Sequence, residues 1–170
     1  PEAVRAAALA LVATDIAEIG MRGHIGEQPR LGAVDGCPFV PLKDITMEQC
    51  AELAKSLAQR VAADLNIPTC LYGAAATHPA KALLSTIRKG EYEGLEARLS
   101  DGHSPHDEHT RYPDFGPCKW SDRVARSGGL TFGAREILVA YNVNLSESDA
   151  KVAKLVGSLV RSSGRLIKQL

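Results

Sequence analysis

Apolar residues recur at helical spacing from residue 2 to about 21. Val4, Ala7, Ala8, Leu11, Val12, Ile16 and Ile19 share a face that Asp15 interrupts, and Gly20 and Gly23 end it. A helix that opens with an apolar face implies a strand before it. A short strand is predicted between prolines over Ala33 to Phe39, interrupted at Gly36. Thr46 and Gln49 form a capping box, in which each side chain satisfies a free backbone N–H of the other residue. The helix they open runs to about Asp64, with Cys50, Leu53, Ala54, Leu57, Val61 and Leu65 inward, and Asn66-Ile67-Pro68 stops it. Pro68 to Tyr72 is predicted as a buried strand ending at Gly73. Two short helices follow, over 79 to 88 and 91 to 99, broken at Gly90.

Residues 100 to 130 hold many Gly, Pro, Ser, His and Asp and no apolar period, which predicts a long loop or insertion. Near-continuous apolarity over Glu136 to Leu145 predicts a central strand. Ser146, with Asp149 at the capping-box position, opens a last helix whose core face is Val152, Leu155, Val156, Leu159 and Val160. Helices alternating with strands predict an α/β domain, a layered mixed sheet with helices packed on it.

Length and charge narrow the function. The 170 residues make one domain with a real core. Twenty basic residues balance twenty acidic ones, which gives no footprint for nucleic acid or a membrane surface. No apolar run is long enough to span a bilayer. Cys37, Cys50, Cys70 and Cys118 match no close-paired metal or redox spacing and read as reduced thiols of an intracellular protein, cytoplasmic or organellar, mitochondria included. Three histidines, His103, His106 and His109, stand among carboxylates at intervals of three. The ligand types suit a metal, but a proline-bearing loop does not fix their geometry, so no metal is expected there.

The densest chemical signal is His24-Ile-Gly-Glu-Gln28-Pro-Arg30-Leu-Gly-Ala-Val-Asp35-Gly-Cys-Pro-Phe39-Val-Pro-Leu42, a loop rich in Gly and Pro that feeds a strand. It resembles the formiminotransferase signature His-x-Gly-Glu-His-Pro-Arg-x-Gly-Ala-x-Asp-x-x-Pro-Phe-x-Pro. Four later segments resemble the same family in the same order. They are Pro68-Thr-Cys-Leu-Tyr-Gly-Ala-Ala75, Ile87-Arg-Lys-Gly-Glu-Tyr-Glu-Gly-Leu95, Pro113-Asp-Phe-Gly-Pro117, and Gly133-Ala-Arg135 with Leu138-Val-Ala-Tyr-Asn-Val-Asn-Leu145. The resemblance is to the family's N-terminal subdomain and covers most of residues 2 to 145. The domain is expected to span residues 1 to 170 and to lack the family's opening strand. It is expected to lack as well the second subdomain, which in the family closes the folate groove.

The resemblance implies transfer of a formimino group from N-formimino-glutamate to tetrahydrofolate, in one-carbon metabolism and histidine breakdown. Tetrahydrofolate would be a substrate, with no metal. Gln28 stands where the family carries its catalytic histidine, thought to be the general base on the attacking folate nitrogen. A base needs a group that titrates near neutral pH, and a carboxamide has none, although it can orient a ligand by hydrogen bonds. His24 either substitutes for that base or caps the loop. Glu27, Arg30 and Asp35 can hold the loop by an ion pair. By position, the stretch from Gly116 to Gly128 corresponds to the family's folate-binding segment. Gly116, Pro117 and Gly128 let backbone approach a ligand. Trp120 either stacks on a pterin or lies half-buried at the surface. Arg123 and Arg126 either pair with folate carboxylates or sit in a solvated loop. Two functions follow: a formiminotransferase-like protein of doubtful activity, or an inactive member serving as a structural or interaction subunit. In either, another polypeptide or a preceding segment is expected to cover the sheet edge.

Overall fold

The computed structural model describes residues 2–100, 112–139, 143–146 and 148–160. The histidines at 103, 106 and 109 lie outside these residues. The chain divides into two compact units, Pro1–Ile137 and Leu138–Leu170.

The first unit is built on three parallel strands, β1 (Gly36–Phe39), β2 (Thr69–Gly73) and β3 (Leu130–Ala134), in the order β1-β3-β2. Gly36 pairs with Thr131 and Phe39 with Ala134, while Thr69 pairs with Leu130 and Gly73 with Ala134. Antiparallel pairing, the mixed part of the expected sheet, is confined to two single bridges, Gly32 with Gly128 and Thr69 with Phe115.

Side chains alternate across the sheet. Phe39, Leu71, Leu130, Phe132 and Ala134 pack against helices α1 (Glu2–Glu18) and α2 (Met47–Leu65). Cys70 and Tyr72 face the other way, into a second cluster with Leu31, Ile87, Leu95, Leu99 and Val124. Ile87, Leu95 and Leu99 come from two short helices, α3 (Leu84–Ile87) and α4 (Leu95–Ser100). The capping box at Thr46 and Gln49 is formed, and Asn66 ends α2 in the left-handed conformation, at φ 54°.

The first helix ends earlier than its pattern predicts and buries a narrower ridge. Val12 and Ile16 are buried with Ala8 and Leu9 packed beside them, whereas Val4 and Leu11 are exposed. Contact with α2 is made by the residues spaced four apart, and the wider apolar stripe points to solvent.

Two expectations fail. The predicted loop at 100 to 130 contains helix α5 (Asp122–Ser127), whose N-cap Ser121 accepts from the Val124 N–H. Six residues are too few to show an apolar period, although Ser-Asp before Val was a readable cap. The third strand is Leu130–Ala134 and not Glu136–Leu145. The described part of 136–145 lies in no strand and exposes Ile137, Leu138, Val139, Val143 and Leu145. Apolar continuity marked that run, while Gly133 disguised the true strand. The Tyr72 ring occupies the place of a Cβ at Gly133, within 2.6 Å, so only glycine fits under it. In the second unit, helix α6 (Ala150–Val160) begins later than the expected Ser146 cap, with the Asp149 carboxylate accepting the Lys151 N–H (2.8 Å), and none of its residues is buried, including the expected core face.

The outer side of β2 is closed. Thr69 N–H donates to the Phe115 carbonyl (2.9 Å), Leu71 N–H to an Asp114 carboxylate oxygen (2.8 Å) and Gly73 N–H to the Ala82 carbonyl (3.1 Å). Asp114 is held by Thr77 and by Lys81 Nζ at 2.9 Å, with both charged side chains almost fully buried. A carboxylate serving an orphan strand N–H explains the acid of the Pro-Asp-Phe-Gly-Pro segment without chemistry. The opposite edge strand, β1, carries Pro38, which lacks an N–H, at a position where edge strands tolerate it.

Candidate functional site

The loop after α1 is pinned at both ends. Met21, in a single 3₁₀ turn, and Leu31 are 2% and 1% exposed, while every residue from Arg22 to Pro29 is exposed. The chain therefore leaves the core, presents one largely polar stretch in which Ile25 is also exposed, and returns. The return is rigid. A Cβ on Gly32 would lie 2.4 Å from the Gly129 carbonyl oxygen, so the two backbones cross at a distance only glycine permits. Asp35 follows at φ 35°. Its carboxylate accepts the Leu31 N–H (2.9 Å) and the Arg88 Nε–H (3.0 Å), and its carbonyl accepts the Thr131 hydroxyl.

Arg30 does not pair within the loop, as its spacing from Glu27 and Asp35 suggested. It reaches across to Glu91 (3.2 Å) and Glu93 (2.6 Å), and its side chain is only 10% exposed. The hydrogen bond from Arg30 holds the Glu93 carboxyl below the usual carboxylate range. The Arg30 carbonyl accepts the Tyr92 N–H (2.9 Å), which ties the loop to the 88–93 turn by backbone as well.

This clamp leaves a cavity of about 390 Å³ whose wall includes His24, Gly26, Glu27, Gln28, Asp35 and Arg88. His24 and Gln28, four residues apart, share it. Polar hydrogen-bonding groups, two carboxylates (Glu27 and Asp35) and two guanidinium groups (Arg30 and Arg88) therefore converge on a single concave surface. Such a surface can bind a small polar or anionic molecule.

The second set of expected residues lies elsewhere. None of Gly116, Pro117, Trp120, Arg123, Arg126 and Gly128 lines this cavity. Gly116 (φ 88°) and Gly128 (φ 68°) are glycines because a Cβ would meet the Ile67 and Leu31 carbonyl oxygens at 2.4 Å. Trp120 packs against the cluster containing Leu31 and Tyr72, with its ring centroid 6.1 Å from that of Tyr92. Arg123 Nε–H donates to the Leu65 carbonyl (3.1 Å), and an Arg126 Nη–H to the Ala17 carbonyl (2.6 Å). Both cations thus sit on helix C-termini, of α2 and α1, where carbonyls lack partners. Pro117 is half-buried.

Arg88, Glu91 and Glu93 carry the clamp and were not singled out from sequence. Their signal was present in Ile87-Arg-Lys-Gly-Glu-Tyr-Glu93, a shared segment to which no role had been given. Among the described residues no three His, Cys, Asp or Glu side chains come together as a metal site, and no helix is long and apolar enough to cross a membrane.

Comparison with known proteins gives the family of the chain. A family profile described as "Formiminotransferase domain, N-terminal subdomain" matches residues 1–135, ending just short of the boundary of the first unit. The rat protein named formimidoyltransferase-cyclodeaminase is 40% identical over 165 residues, 97% of this chain and 28% of that protein. The glutamate formimidoyltransferase of Streptococcus pyogenes serotype M1 is 39% identical over 164 residues, 96% of this chain and 51% of the other. A protein of the same name from Thermoplasma acidophilum is 41% identical over 146 residues, 85% of this chain and 45% of the other. The chain therefore spans about half the length of the two glutamate formimidoyltransferases and about a quarter of the rat protein.

Proposed function

Because the chain belongs to the formiminotransferase N-terminal subdomain family, we propose that its His24–Arg88 cavity is one wall of a site for formimino transfer. The substrates would be N-formimino-glutamate and tetrahydrofolate, within one-carbon metabolism and histidine breakdown. The observation that carries this reading is the clamped loop. Arg30, Glu91 and Glu93 immobilise a stretch that turns His24, Glu27 and Gln28 toward one cavity, with Ile25 exposed beside them.

Attack by a folate nitrogen on the amidine carbon requires removal of a proton from that nitrogen. Gln28 can accept a hydrogen bond from it through its amide oxygen, or donate to a substrate oxygen through its NH₂. It cannot take the proton away. The residues present thus position ligands, and general-base assistance, typically about 10² to 10⁴-fold, is missing. The protein binds the reactants and turns them over slowly or not at all.

The internal bonds of Arg123 and Arg126 and the packing of Trp120 favour a second reading, an inactive member acting as a structural or interaction subunit. In it, an apolar segment of another polypeptide covers a groove of about 830 Å³ beside β1, bordered by Phe39, Val40, Leu42, Ile45 and Leu53. Titration calorimetry separates the two. Heat with micromolar to millimolar folinic acid or N-formimino-L-glutamate, lost in Arg88→Ala, supports the transfer site. No heat at millimolar ligand overturns it and leaves the subunit reading.

A further inference from the structure

A guanidinium has five N–H donors and no acceptor. All five donors of Arg30 are matched. Nε–H donates to His24 Nδ1 at 3.3 Å. One terminal nitrogen donates to Glu91 (3.2 Å) and Glu93 (3.1 Å), the other to the His24 carbonyl (3.0 Å) and Glu93 (2.6 Å). Arg30 therefore has nothing left to offer a ligand, and it fixes its neighbour. Since Nε only donates, His24 Nδ1 must accept, and the neutral ring then carries its proton on Nε2. A flipped ring would set a C–H against the guanidinium. A protonated ring would lose the bond and place one cation against another. The ring is also seated on Gly26, where a Cβ would come within 3.0 Å of its Cε1. Within the described residues no hydrogen bond is made by Nε2, and His24 lines the cavity.

We propose that Arg30 is a positioning residue that locks His24 as an Nε2–H donor for a carboxylate or carbonyl oxygen of the cavity ligand. His24 is then not a replacement for the base that Gln28 lacks, because the nitrogen left for the ligand already carries its proton. Together the Gln28 carboxamide and His24 Nε2–H offer two neutral donors from one loop, a pairing suited to an acceptor oxygen. This inference rests on the cavity being a ligand site, but its first arm does not.

Nitrogen-15 NMR of the imidazoles at pH 8, with His24 identified by the signal missing in His24→Gln, tests it. The expected result is an Nε2–H ring whose Nδ1 resonance has the position of a hydrogen-bonded acceptor. In Arg30→Gln, and again in Arg30→Lys should the first variant misfold, Nδ1 moves to the position of a free acceptor. An Nδ1–H ring in the unsubstituted protein, or an Nδ1 resonance indifferent to both variants, overturns the lock. Millimolar N-formimino-L-glutamate is then expected to shift the Nε2–H resonance, and His24→Phe to weaken its binding about tenfold, the effect of one lost neutral hydrogen bond. Binding heat without that shift overturns the donor role. Absence of binding heat overturns the ligand site and the donor role with it, while the tautomer result stands by itself.

Discussion

Removing Asp114 is expected to cost this protein a large part of its stability, although no chemistry is assigned to the residue. Asp114→Ala deletes the partner of Lys81 Nζ, 2.9 Å away, in a pair whose side chains are 5% and 6% exposed. It also orphans the Leu71 N–H, and it releases Thr77. Breaking one side of a buried ion pair costs about 3–5 kcal/mol, and an unpaired buried donor about 1–3 kcal/mol. The Tyr112 carbonyl still accepts from Lys81 (3.0 Å), so the sum is discounted to roughly 4–6 kcal/mol. That approaches the total stability of a small domain, roughly 5–15 kcal/mol. Lys81→Met leaves a carboxylate with two neutral donors and should lose about 3 kcal/mol. The double substitution should lose less than the sum, because removing both charges leaves no unpaired charge in the buried site. Urea unfolding of the four proteins measures this cycle. Single losses within about 1 kcal/mol, or a strictly additive double, would refute the reading of Asp114 as a buried cap on the β2 edge.

Further outcomes follow from the same geometry. Gly128→Ala, at φ 68° and 2.4 Å from the Leu31 oxygen, should cost well over 1 kcal/mol by urea unfolding; an unchanged midpoint would contradict the backbone crossing. Thr46→Ala should remove about 1 kcal/mol through loss of its cap, and no change would mean the box adds nothing to α2. Because Arg30 depresses the Glu93 carboxyl, their bond stabilises above the ordinary carboxylate range and is lost as pH falls through the depressed value. Glu93→Gln should therefore flatten the acid limb of the stability profile, and an identical limb would contradict the clamp. Exposed Cys118 should react with a thiol reagent in the native state, while buried Cys50 and Cys70, the latter with its thiol pushed up by burial, should wait for unfolding; equal rates would contradict the packing.

Much of the fold was legible because its signals are local. The Thr46 box, the Asn66 stop and the five-residue strand at Thr69 each declare themselves within a few positions. The central strand did not, because Leu130-Thr-Phe-Gly-Ala owes its burial to what lies on both sides of it. Gly133 reads as a loop residue until the Tyr72 ring is seen to need its space. The run from Glu136 to Leu145 shows the converse, since an apolar stretch states that burial is wanted but not what supplies it. At the site, His24 and Gln28 could be read from the motif and do share a cavity. The partners of Arg30 could not, because Glu91 and Glu93 lie some sixty residues away. Arg123 and Arg126 seemed suited to a ligand carboxylate, but a helix C-terminus is an equally good acceptor, and sequence does not separate the two.

The central claim is that a glutamine in the base position leaves a binding wall without its proton acceptor. The most direct test is formimino transfer from N-formimino-L-glutamate to tetrahydrofolate by the purified protein and by Gln28→His, with substrate binding to both measured by calorimetry. The account predicts comparable affinities and a rate at least about a hundredfold higher with histidine, the lower end of what a general base supplies. Turnover by the glutamine form within tenfold of the histidine form, at equal affinity, would contradict it.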